Sequence, residues 1–124
     1  MKSIFLVPAV CLSFLIVFSA CDSKQGEVED IIEDFMEQNL KDGLETSNVS
    51  FAKFDSTMHV SDSAIVALRR TTDKTIYKGN IRYTETGRKQ RPFYYKRVTY
   101  SINGKQFTNT FYVNHGLNGV VAFK

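Results

Sequence analysis

The sequence predicts an α+β domain, an N-terminal amphipathic helix packed on an antiparallel sheet of about four strands. Three observations carry this. Val28, Ile31, Ile32, Phe35, Met36 and Leu40 recur at the spacing of one helix face. Two β-type runs, Phe93 to Ile102 and Lys105 to Asn114, flank Asn103-Gly104, the dipeptide favoured in type I′ hairpin turns. Both runs alternate apolar and polar residues, as strands with one buried face do.

The elements can be justified in chain order. Met1, Lys2 and Ser3 form a short basic start, followed by an apolar run from Ile4 to Phe18 broken only by Pro8 and Ser13. Such a run spans about 22 Å as a helix, short of the roughly 30 Å hydrocarbon core, and small residues follow it, so it reads as a targeting segment of residues 1–20. Phe18-Ser19-Ala20-Cys21 resembles the bacterial lipobox, with Phe18 in place of the usual leucine. That resemblance implies cleavage between Ala20 and Cys21, after the Cys21 thiol has received diacylglycerol. An ordinary secretory signal and an uncleaved anchor helix are the competing readings. A single acyl chain holds a protein only marginally at about 0.8 kcal/mol per CH₂, whereas two or three hold it durably. Cys11 leaves with the signal and Cys21 is consumed as a thioether, so the remaining 104 residues hold no disulfide and no thiol nucleophile.

Residues 21–26 are polar and read as a tether, leaving 27–124 as one domain. Glu29, Asp30, Glu33, Asp34 and Glu37 fill the helix face opposite the apolar stripe, and Gly43 is a plausible stop. Asn48 to Phe54 reads as extended. Ser61 to Arg70 fits either a short helix capped by Ser61 or a strand, the helix being favoured. Lys74 to Thr84 is read as a strand with Tyr77, Gly79, Ile81 and Tyr83 on one face. Gly87 to Pro92 is a basic loop. The Asn103-Gly104 turn sets the register: Ile102 opposite Lys105, Tyr100 opposite Phe107, Val98 opposite Asn109, Tyr94 opposite Val113. It also puts Tyr95 opposite Tyr112, on the face expected to meet solvent with Arg97, Thr99, Thr108 and Thr110. Residues His115 to Gly119 turn the chain into a last strand, Val120 to Phe123.

Phe18 to Cys21, Phe35 to Asp42, Val49 to Asp55 and, loosely, Tyr94 to Val121 resemble the small lipoproteins common in Bacteroidota. Those share a lipobox signal, a helix ending in Asn-Leu-Lys-Asp and a Tyr/Phe-rich antiparallel sheet. The resemblance implies a membrane address and a cystatin-like or NTF2-like fold, and it supplies no functional residues.

Charge is divided along the chain. From Asp22 to Asp62 eleven carboxylates face Lys24, Lys41 and Lys53, whereas beyond Ser63 only Asp73 and Glu85 oppose twelve Lys and Arg. The most distinctive stretch is Arg88-Lys89-Gln90-Arg91, followed by Phe93, Tyr94, Tyr95, Lys96 and Arg97. Basic groups interleaved with aromatic rings suit an anionic envelope component or lipid headgroup, a protein partner, or simple charge balance within the fold. Tyr95 and Tyr112, if exposed as a pair, would extend that surface. His59 and His115 are the only histidines, and neither has a second ligand at metal-binding spacing. No P-loop, Gly-x-Ser-x-Gly or His-Glu-x-x-His motif occurs, so no cofactor or metal is expected.

The expected protein is therefore a lipid-anchored, non-catalytic envelope module facing the periplasm or cell exterior. Its expected partners are the membrane and an envelope protein or anionic envelope component; the exported address disfavours nucleic acid. Two alternatives remain: a small enzyme using a sheet cavity with His59 or His115 as base, and an inhibitor or immunity protein docking through the basic loop.

Overall fold

The computed structural model describes residues 23–71, 75–87 and 90–124. The targeting segment, Ala20, Cys21, Arg88 and Lys89 lie outside the described residues. Among the described residues two helices and an antiparallel sheet of five strands make an α+β fold. Helix α1 covers residues 23–39. Strands β1 (Ser47–Phe51) and β2 (Asp55–Thr57) precede helix α2 (Asp62–Thr71), and β3 (Phe93–Ile102), β4 (Lys105–Val113) and β5 (Val120–Phe123) follow it.

Strand β3 is the centre of the sheet. It pairs with β4 along its whole length and with β1 and β2 end to end on its other side, while β5 adds to β4. The β3–β4 register is the one the Asn-Gly turn predicts, including Tyr95 opposite Tyr112. Asn103 and Gly104 both take positive φ, 52° and 81°, which is what a type I′ turn demands and why these two residue types occupy it.

Val28, Ile32, Phe35, Met36 and Leu40 of the helical stripe are buried in one cluster with Tyr94, Val98, Tyr100, Ile102, Phe111, Val113 and Phe123 of the sheet. Phe35 meets Phe111 and Phe123 edge to face, at centroid distances of 5.9 and 5.6 Å. Within this cluster runs a hydroxyl chain: Tyr77 Oη lies 2.8 Å from Tyr100 Oη, which donates to Asn109 Oδ1. Burial, and then neighbouring Tyr100, push the Tyr77 phenol well above its ordinary range.

Four expectations are corrected. Helix α1 already includes residues 23–26, so that part of the expected tether is helical. Residues 75–87 form no strand beyond a single bridge from Tyr77 to Leu40. Their backbone bonds run to several elements instead: Lys78 N–H donates to Asn39 O, Arg82 N–H to Asn39 Oδ1, and Thr84 N–H to Val120 O, while Ile76 O accepts from Lys41 N–H. The third correction concerns the face expected to meet solvent. Helix α2, capped by Ser61 Oγ accepting from Ala64 N–H, covers half of it. Ile65 is buried there with Phe93, Tyr112, Val121 and Ala122, and Leu68 and Tyr95 pack against them. Only the hairpin half, with Arg97, Gln106 and Thr108, is exposed. Finally, Lys96 is not a surface cation: it is buried, ion-paired with Glu29 of α1 and set over the Phe51 ring.

Arg69 fastens α2 in place. Its Nε donates to Val121 O at 2.8 Å, one Nη donates to Thr84 O at 3.0 Å, and the guanidinium lies over the Tyr83 ring. Gly119 is required by close approach, since a Cβ there would collide with Thr84 Oγ1.

Candidate functional site

Antiparallel pairing brings the start of β3 and the end of β4 to the same edge of the sheet, with the turn into β5 beside them. A cleft of about 600 Å³ opens there, lined by Thr86, Gly87, Arg91, Phe93, His115 and Asn118 among others. Buried Asn114 builds its wall. The Asn114 Oδ1 accepts from the N–H groups of Asn118 and Gly119 at 2.8 and 3.3 Å, and its Nδ2 donates to Asn118 Oδ1. The turn thus satisfies its own backbone without a regular element, and it holds His115 in a fixed place.

His115 stacks on Tyr94 at 5.5 Å with 19° between the planes, and Tyr94 in turn stacks on Phe54 at 5.4 Å. Its Nδ1 is buried without a hydrogen-bond partner among the described residues. An imidazole and the exposed Arg91 guanidinium lining one cleft suit an anion, a carboxylate or a phosphate. Among the described residues no cluster of His, Cys, Asp or Glu could hold a metal ion. The interior between α1 and the sheet, where the enzyme alternative would need its cavity, is occupied by Phe35, Tyr77, Phe111 and Phe123.

Arg88 and Lys89 lie outside the described residues, and the two described basic candidates, Arg91 and Arg97, line different hollows. Arg91 lies in the sheet-end cleft, whereas Arg97 is exposed on the α2 side, in a shallow hollow with Lys53, Asp55, Tyr95 and Thr110. Phe93 and Tyr94 are buried. Tyr95 and Tyr112 do meet, at 5.8 Å, but as the margin of the small core under α2. Burial, with the Asp55 carboxylate beside it, pushes the Tyr95 phenol up. His59 is exposed in a hollow with Met58, Ser61, Asp62 and Gln90, distinct from the cleft that His115 lines.

Two participants were not legible beforehand. Asn114 closes the second β-type run, where nothing marks it as the anchor of the turn that follows. Lys24, from the expected tether, places its Nζ 3.3 Å from the Tyr94 hydroxyl and 5.3 Å from that ring's centre, joining the start of α1 to the same end of the sheet.

No helix among the described residues is long and apolar enough to cross a membrane. The chain matches no protein-family model, no curated protein and no solved structure.

Proposed function

We propose that this protein is a lipid-anchored, non-catalytic envelope lipoprotein, a binding or accessory module facing the periplasm or the cell exterior. The observation that carries the reading is Phe18-Ser19-Ala20-Cys21 at the end of a short apolar run. The helix across the aromatic sheet face favours a cystatin-like version of the fold. The interior filled by Phe35, Phe111 and Phe123 favours a binding role over chemistry inside the sheet. Arg91 and His115 at the sheet end are the groups through which an anionic envelope component would be held.

The anchor is tested by metabolic labelling with palmitate. Wild-type protein is expected to take up label and Cys21→Ala to lose it. Labelling that persists in the variant overturns the anchor site, as does an intact mass showing a first residue other than Cys21.

A further inference from the structure

The structure carries information on which end of the domain faces the lipid. Helix α1 reaches back to Ser23, so only Asp22 separates it from Cys21. Two Cα steps span at most about 7 Å whatever their conformation. The start of α1 is joined to one end of the sheet, because Lys24 lies against Tyr94 at the beginning of β3. Tyr94 stacks on His115, His115 shares its cleft with Arg91, and β2 pairs with the same residues of β3 through Ser56 and Thr57. At the far end of ten-residue β3 lies the Asn103-Gly104 turn, about 33 Å away along the strand.

We propose that this near end, formed by Lys24, Met58, Arg91 and His115, is the membrane-facing surface of the protein and contacts the anionic headgroups of the bilayer that holds Cys21. The proposal rests on the lipid-anchor reading and adds an orientation and a lipid chemistry to it. A link of 7 Å or less (about two residues) keeps the start of α1 at headgroup depth, and everything packed on that start is brought down with it. The side chains there suit that depth. Lys24 and Arg91 are exposed cations, and Met58, 47% exposed, is one of the large apolar side chains the domain leaves in solvent. Of the carboxylates nearby, Asp62 shares the hollow of Met58, Glu27 is exposed one turn along α1, and Asp55 is engaged with Tyr95.

The test uses full-length acylated protein in vesicles. Fluorophores are placed on His59→Cys, at the near end, and on Gln106→Cys, in the far hairpin; cleavage and acylation leave no other free thiol. A headgroup-attached quencher is expected to quench the His59→Cys label severalfold more than the Gln106→Cys label. Equal quenching, in protein whose acylated Cys21 is verified by mass, overturns the orientation and leaves the anchor standing. An unacylated Cys21 overturns both. In competition between phosphatidylglycerol and phosphatidylcholine vesicles, Lys24→Ser and Arg91→Ser are each expected to reduce the preference for phosphatidylglycerol about fivefold. A preference unchanged in the double variant overturns the headgroup contact.

Discussion

Under α1 the sheet presents Tyr94, Val98, Tyr100, Phe111 and Val113 to a continuous helical stripe, and the resulting core is built largely of aromatic rings. Under α2 it presents Phe93, Tyr112 and Ala122 to Ile65 and Leu68, and the remaining half of that face is open. Each face of an isolated sheet needs covering in proportion to the apolar area it carries. Here a seventeen-residue helix spans one face and a ten-residue helix shields only the apolar end of the other. The cores differ accordingly in what they contribute. The larger one fixes the fold, and the smaller closes a gap and is held by one arginine reaching across to Val121 and Thr84.

The sharpest way to break that comparison is to truncate one fully buried apolar side chain on each side. Phe111→Ala removes a fully buried ring from the large core and is expected to cost about 3–5 kcal/mol, enough to leave the domain barely folded. Ile65→Ala cuts the small core and is expected to cost about 2 kcal/mol, the lower end for such a substitution, because α2 can settle onto the vacated space. Urea unfolding measures both; equal costs, with fewer carbons lost from Ile65, would mean that the small core contributes more per buried carbon than the large one. Next in size is Glu29→Gln, which leaves the buried Lys96 ammonium without its counter-charge under α1. Glu29 keeps part of its side chain in solvent, so the expected loss is about 1–2 kcal/mol rather than the full cost of an orphaned buried ion. Replacing the pair together by Met and Leu is expected to restore most of it.

Smallest is an alkaline effect confined to the large core. The fold keeps the Tyr77 phenol neutral, whereas in the unfolded chain it titrates near its ordinary 10.0. Its contribution is therefore complete below that pH and is lost as pH rises past it, since only the unfolded state then releases the proton. Stability followed by urea unfolding from neutral to strongly alkaline pH should fall less steeply in Tyr77→Phe than in wild type. An unchanged slope would remove Tyr77 from the account.

The large core was legible because its signals are local and periodic. A six-residue apolar stripe needs only helical spacing to be seen, and Asn103-Gly104 imposes a register that reaches nine residues back to Tyr94. The small core was half legible. Ser61 marks the start of α2, but nothing local says that Tyr95 and Tyr112 will be covered from elsewhere in the chain. Residues 75–87 defeat the reading for a related reason. Tyr77, Ile81 and Tyr83 alternate as a strand would, yet the polar groups of this stretch bond to Asn39, Arg69 and Val120 instead of joining a ladder. Lys96 likewise looks like one of a row of surface cations until parity places it on the helix side. The sheet-end cleft was the least legible part. His115 stood out as a residue type, but its neighbours Arg91 and Thr86 come from sequence positions far from it, joined only by the folded topology.

The segment pressed against Gly119 has a last consequence. Thr84 and Arg69 occupy the carbonyls of Val120 and Val121, and the opposite border is split into two short strands, one of them bulged between Ser47 and Ser50. Neither flank offers an incoming polypeptide a long straight row of vacant donors and acceptors. Copies at high concentration therefore lack the template for polymerising strand to strand.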